Sequence, residues 1–189
     1  DLWTCKRNIS KGEIMEVRKI KVGYLQTNCY ILIEQGSCLI IDPGDQYYSI
    51  ESQIGHNQIL GVLITHRHPD HIAALEQIQK TYNPKIFEKN NLTEGKYEIG
   101  PFRFEVINTP GHTSDSVTFF FYDYNFMFTG DFLFQNSIGR TDMPTGNMNQ
   151  MKESLEKIKE YSDRIRIYPG HGDTTNLGDE KQDNPFLRT

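Results

Sequence analysis

The chain has 189 residues, 37% of them apolar and 24% charged, and a formal charge of -5 at pH 7. That length suits one domain able to bury its own core without disulfide or metal staples, and the lack of a basic run argues against nucleic-acid binding. No apolar run approaches the roughly 18 residues needed to span a bilayer, and no charged start leads into an apolar segment of the signal-peptide kind. A cytoplasmic protein with no membrane partner is therefore expected, its oligomeric state left open by composition. Cys5, Cys29 and Cys38 form no C-x-x-C pair and leave an odd thiol. They read as free thiols in a reducing compartment, the alternative being a Cys29–Cys38 disulfide across a hairpin.

Residues 1–14 mix Trp, Cys, Lys and Gly without a period and read as an N-terminal extension, with Met15 as a natural start. An ordinary N-terminus is the plainer alternative. Residues 15–189 then form a single domain. Strands are expected at Val17–Val22, Asn28–Ile33 and Cys38–Ile41, with Glu34-Gln35-Gly36-Ser37 turning the chain between the last two. Asp42-Pro43-Gly44-Asp45 stops the third strand and starts a short helix. Ile59–Ile64 is continuously apolar, as in a strand buried on both faces. Ile72, Leu75, Ile78 and Tyr82 recur at helical spacing up to Asn83-Pro84. Lys85–Phe87, Phe102–Ile107, Val117–Tyr122 and Phe126–Thr129 read as further strands, and Phe119-Phe120-Phe121-Tyr122 as core rather than a substrate platform. Met148, Met151, Leu155 and Ile158 mark an amphipathic helix capped by Asn147, both methionines facing the core. Arg164–Tyr168 is the last strand, and a short helix follows from Gly178 to about Asn184-Pro185.

Five of the six histidines fall in three motifs. These are Thr65-His66-Arg67-His68-Pro69-Asp70-His71, Pro110-Gly111-His112-Thr113 and Pro169-Gly170-His171-Gly172; Gly130-Asp131 adds a carboxylate. Mixed imidazole and carboxylate donors suit zinc, iron or manganese. Seven candidates exceed the four ligands of one tetrahedral zinc, which points to two metals. Each group follows a predicted strand and is flanked by Gly or Pro, so the ligands converge if those strand ends share one edge of the sheets. The bland alternative is a set of satisfied core histidines. Each of His112 and His171 alone reads that way as readily as functionally; the joint pattern favours metal. His56, outside the motifs, is expected at the surface near a helix end.

The order H-x-H-x-D-H, P-G-H-T, G-D, P-G-H-G resembles the metallo-β-lactamase superfamily. Within it, Gly130-Asp131-Phe132-Leu133-Phe134 leading to Ile138-Gly139-Arg140-Thr141-Asp142-Met143-Pro144, and Leu177-Gly178-Asp179-Glu180 leading to Asn184-Pro185-Phe186-Leu187, are similar to the short glyoxalase II-like hydrolases. The resemblance runs from about Met15 to the C-terminus. It implies an α/β fold, a four-layer αββα sandwich with two divalent ions, Zn2+ or alternatively Fe or Mn, at its edge. His66, His68 and His112 would hold the first ion, Asp70, His71 and His171 the second, and Asp131 would bridge them.

The implied activity is hydrolysis of a small-molecule thioester such as an S-2-hydroxyacylglutathione. Two ions about 3.5–4 Å apart share a hydroxide whose parent water has a pKa near 7, and this attacks the carbonyl. Asp70 orients it or moves its proton, and the thiolate leaves without a strong acid. Thr65, Thr113 and Asp42 are candidates for hydrogen bonds to the ligands. Arg140 matches a basic position near the thiol-bearing part of the substrate, or else pairs structurally with Asp142.

Two departures narrow this resemblance. Full-length glyoxalase II enzymes add a C-terminal helical domain that contacts glutathione, whereas eighteen residues follow His171 here. Recognition is thus expected from loops of the one domain or from a partner subunit. Thr113-Ser114-Asp115-Ser116 stands where relatives often carry Pro-Gly. A one-iron persulfide dioxygenase, a lactonase and a non-catalytic metal-binding protein are the alternatives. Antibiotic hydrolysis is set aside on Asp131, a nuclease on the lack of basic surface, and a flavodiiron protein on His68.

Overall fold

The structure, a computed structural model, describes residues 14–188. Apart from Ile14, the expected extension lies outside the described residues, as does Cys5. Strands β1 (Glu16–Val22), β2 (Thr27–Glu34) and β3 (Ser37–Ile41) form an antiparallel meander. Helix α1 (Tyr47–Ile54) carries the chain across to β4 (Gln58–Leu63), parallel to β3. Helices α2 (Pro69–Ile72) and α3 (Leu75–Tyr82) return it to β5 (Ile86–Phe87), completing a sheet of order β1-β2-β3-β4-β5. The second sheet has β6 (Gly95–Ile99), β7 (Phe102–Asn108), β8 (Val117–Phe121) and β9 (Phe126–Gly130) in antiparallel sequence. A small hairpin, β10 (Leu133–Phe134) and β11 (Ser137–Ile138), precedes helix α4 (Met148–Lys159). Strand β12 (Arg166–Pro169) then pairs parallel to β9, and β13 (Thr175–Asn176) closes that edge before helix α5 (Leu177–Asp183).

The side chains sort into three cores, which is what makes four layers. Within β3, Leu39 and Ile41 face the space between the sheets while Cys38 and Ile40 face α1 and α3. On the far side, Phe120 and Met127 pack with Met151, Leu155 and Ile158 of α4. The central layer is aromatic: Phe128 touches Tyr30 edge-on at 5.1 Å, Phe121 at 5.5 Å, and stacks on Tyr168 at 4.9 Å. This is the αββα sandwich expected from the resemblance. Among the described residues no helix is long and apolar enough to cross a membrane.

Several expectations are corrected. The helix read from Ile72 to Tyr82 is broken, because the Ala74 N–H donates to the Pro43 carbonyl at 3.0 Å instead of extending α2. Strand β6 was not visible in the sequence because it lies at a sheet edge and none of its residues is buried. The two-residue strands β10, β11 and β13 are too short to show a period. Met148 is 42% exposed at the first position of α4, so only Met151 faces the core. The helix is capped as expected, Asn147 Oδ1 accepting from the Gln150 N–H at 3.0 Å. Cys29 and Cys38 are free. The register pairs Cys38 with Ile33 and Cys29 with Ile20 on the other side of β2, so the two thiols do not meet across the hairpin.

The aromatic layer sets a stability test. Phe128→Ala is expected to cost about 3–5 kcal/mol in urea unfolding, and a loss under about 1 kcal/mol contradicts this packing.

Candidate metal centre

The candidate ligands sit where the topology requires. Strands β7 and β9 both run antiparallel to β8, and β12 runs parallel to β9. All three therefore end at the same edge of the second sheet, and there His112, Asp131 and His171 follow them. From the first sheet, β4 ends at Leu63 and delivers Thr65 and His66 to the same edge. His68 adopts extended backbone (φ -63°, ψ 142°) before Pro69, and the single turn of α2 then presents Asp70 and His71.

All seven predicted side chains converge, in two overlapping sets: His66, His68, His112, Asp131 and Asp70, His71, Asp131, His171. Asp131 belongs to both. In the first set, His112 Nε2 lies 3.0 Å from His68 Nδ1 and 3.4 Å from Asp131 Oδ2, which is 3.7 Å from His66 Nε2. In the second, His71 Nε2 is 3.2 Å from Asp131 Oδ1 and 3.4 Å from Asp70 Oδ2. His171 Nε2 lies 3.2 Å from Asp70 Oδ2 and 3.4 Å from Asp131 Oδ2. Ligands about 2.0–2.1 Å from a tetrahedral ion stand about 3.3–3.4 Å from one another. The spacings bracket that edge length, so the residues fit two divalent cations.

Unsatisfied atoms point the same way. His66 Nε2, His71 Nε2 and Asp131 Oδ1 are buried without a hydrogen bond of acceptable geometry, a costly state unless another partner completes it.

The far side of each ring explains its orientation. His71 Nδ1 donates to Asp42 Oδ2 at 2.8 Å. The Thr65 hydroxyl donates to that oxygen at 2.6 Å and is 3.1 Å from His66 Nδ1, while the Thr65 N–H donates to Asp42 Oδ1. Asp42 also approaches His66 and His71 as a possible ligand, but both its oxygens are engaged in this way. It is a positioning residue, as expected, and sits at φ 51°. His112 Nδ1 donates to the Arg140 carbonyl at 2.7 Å and His171 Nδ1 to the Leu25 carbonyl at 3.1 Å. Three imidazoles thus donate through Nδ1, the Nδ1 of His66 faces the Thr65 hydroxyl, and all four rings turn Nε2 inward, as metal ligands do.

Three more residues, unmarked in the sequence, hold the second set. Thr27 Oγ1 donates to Asp70 Oδ2 at 2.8 Å. Asn28 Nδ2 donates to the carbonyls of Pro169 and Gly172, its N–H bonds the Gly170 carbonyl, and Tyr30 Oη donates to Pro169 O at 2.6 Å. They clamp the loop that carries His171. A Cβ at Gly170 would strike Asp131 Oδ1 and approach His71 Cε1 to 2.8 Å, so only glycine admits this packing. Thr113 departs from expectation: its hydroxyl pairs with Ser116 Oγ at 2.6 Å rather than with a ligand. The Arg140 side chain forks onto Asp142 at 2.7 Å on the surface, and only its carbonyl touches the centre. His56 is exposed just past α1, as expected.

Without metal the cluster is polarised. Burial, then the neighbouring His71 charge, holds His66 well below the usual imidazole range. For His71 burial acts the same way, but the Asp131 and Asp42 carboxylates outweigh it and hold the ring well above that range. Burial also opposes protonation of His171, yet the bonds to Asp131 and Asp70 push it up to about 9. Burial raises Asp131, but His71 and His171 overcome it and hold the carboxyl well below its ordinary value.

The family model described as Metallo-beta-lactamase superfamily matches residues 22–96 and 90–171. A probable metallo-hydrolase, YqgX of Bacillus subtilis, is 33% identical over 92% of this chain and 98% of its own length. The hydroxyacylglutathione hydrolase GloC of Haemophilus influenzae is 30% identical over 93% of this chain and 99% of its own. Among solved structures, the BLEG-1 B3 metallo-beta-lactamase superposes with a TM-score of 0.85 at 30% identity, covering 92% of this chain and 100% of that one. TTHA1623 in a di-iron-bound form gives 0.83 at 28%, covering 90% and 100%. ETHE1 from Myxococcus xanthus gives 0.82 at 27%, covering 90% and 84%.

His71 and His171, raised above the ordinary value, are protonated at neutral pH, so cations must displace their protons. Loading the metal-free protein at pH 7 is expected to release at least about two protons per chain, two from these rings and a further fraction from acidified water, read as buffer-dependent calorimetric heat. The release shrinks as pH passes about 9. Uptake at pH 7 without proton release contradicts these protonation states.

Proposed function

The chain belongs to the metallo-beta-lactamase superfamily, a metallo-hydrolase with a site for divalent metal, and on that premise we propose that it hydrolyses thioesters. The substrate class we assign is an S-2-hydroxyacyl thioester of glutathione. The observation that carries the reading is Asp131, whose oxygens face both ligand sets, together with the likeness to GloC over nearly the whole chain.

His66, His68, His112 and Asp131 would hold one ion, and Asp70, His71, His171 and Asp131 the other. Zinc fits this donor set, as does iron, the metal in the TTHA1623 structure. Ions bound there supply Lewis acidity for the thioester carbonyl and acidify water to a pKa near 7. The rest is the work of the chain. Asp70, its Oδ2 fixed by Thr27, would orient the attacking water or take up its proton. Asp42 and the carbonyls of Arg140 and Leu25 keep the imidazoles aimed inward. The departing thiolate, conjugate to a thiol of pKa about 8.5, needs no strong acid. Arg140 lies at the rim, and its solvent-exposed pair with Asp142 opens readily to meet an anionic thiol carrier.

The likeness to a B3 metallo-beta-lactamase and the persulfide alternative from the sequence set what else the assay includes. S-lactoylglutathione, a cephalosporin and glutathione persulfide are given to metal-loaded and chelator-stripped protein. Metal-dependent hydrolysis of the thioester above the other two is expected. Asp131→Ala should halve the metal content and lower turnover about 10²-fold or more. Preferential β-lactam cleavage, persulfide oxidation with one bound iron, or full turnover in Asp131→Ala rejects the proposal.

A further inference from the structure

A groove of about 430 Å³ opens where β1, the edge of the first sheet, faces β12 and the turn after His171. Lys19 and Lys21 project into it from β1 and Arg166 from β12, against the single carboxylate of Asp173. Its floor is apolar: Val17 and Tyr168, each 6% exposed. The volume lies within the range of small-molecule sites, which join apolar walls to a few convergent polar groups.

Several cations elsewhere meet acids, as in Arg18–Glu16, Arg67–Glu88 and Lys181–Asp163. Here they do not. Among the described residues neither Lys21 nor Arg166 makes an ion pair or a side-chain hydrogen bond, and Lys19 Nζ reaches only the Gly172 carbonyl, at 3.3 Å. Burial, and then the charge of Lys21, lowers the Lys19 ammonium below its usual range, with Asp173 offsetting part of this. Three converging cations on an acidic chain focus a positive potential that an anion would relieve.

We propose that this groove binds a small organic dianion. Lys19 and Lys21 are two positions apart on one strand and so set anchors about 7 Å apart. Arg166 faces them as a planar fork suited to carboxylate or phosphate. The ligand's carbon skeleton lies on Val17 and the Tyr168 ring. The anionic end of a thioester's thiol carrier and a free dianion present the same chemistry. The groove begins in the turn that follows His171, so the first source deepens the proposed function while the second is independent of it.

Glutarate, two carboxylates joined by three methylenes, is the probe. Calorimetric titration of the metal-loaded protein is expected to give saturable binding with Kd below about 1 mM. Lys21→Gln/Arg166→Gln should weaken it at least tenfold, with Lys21→Glu, at an exposed position, as the second variant should the double one fold poorly. If the carrier end occupies the groove, glutarate competes with substrate and the double variant raises KM at unchanged kcat. If a free dianion does, glutarate binds without competing. No saturation by about 10 mM, or equal affinity in the variants, overturns the proposal. Because binding is read without turnover, loss of the thioesterase reading leaves this test intact.

Discussion

Five imidazoles and two carboxylates, with facing donor atoms 3.0 to 3.7 Å apart, cannot all keep the protons they would carry in water. Asp131 lies at the centre of this conflict, nearly buried and within reach of four rings. In the metal-free protein the conflict is resolved by charge alternation: His71 and His171 hold protons against Asp131 and Asp70, while His66 is pressed toward the neutral form. Two divalent cations resolve it better, since they neutralise the carboxylates and meet every inward lone pair. Loss of buried-polar satisfaction is what the scaffold tolerates to keep such a site ready.

Holding the arrangement takes both sheets. Parallel strands ending at one edge bring ligands from distant sequence together, and short Gly-containing turns aim them. The inward face is ligand, and the outward face is a ring of hydrogen bonds from Asp42, Thr27, Asn28, Tyr30 and two backbone carbonyls. Asn28 and Tyr30 lie in the first half of β2 and still set the loop of His171, about 140 positions away, because β2 packs directly beneath it. The aromatic layer between the sheets continues this support, Tyr30 touching Tyr168 at 5.5 Å, one residue before Pro169.

The sequence showed the ligands because their chemistry is written in side-chain identity: seven metal-binding groups, each just past an apolar run. It showed the four layers through resemblance, and most strands through their apolar patterns. The acceptors on Arg140 and Leu25 were hidden because they are backbone carbonyls, which every residue carries. Asn28 and Thr27 were hidden because a polar residue inside a strand looks like any other until the partner strand is placed. Thr113 misled for the converse reason: adjacency to His112 in sequence is not adjacency to its ring. The helical period from Ile72 to Tyr82 marked the buried Leu75 and Ile78 but was blind to the pull of Pro43 on Ala74, a contact between segments about thirty residues apart.

The two-cation reading of the cluster is the claim on which the chemistry depends, and anomalous diffraction from zinc-supplemented crystals tests it most directly. Two peaks about 3.5–4 Å apart, one on each ligand set with Asp131 between them, are what the account predicts. A single peak, with Asp70 and His171 away from any metal, would contradict it.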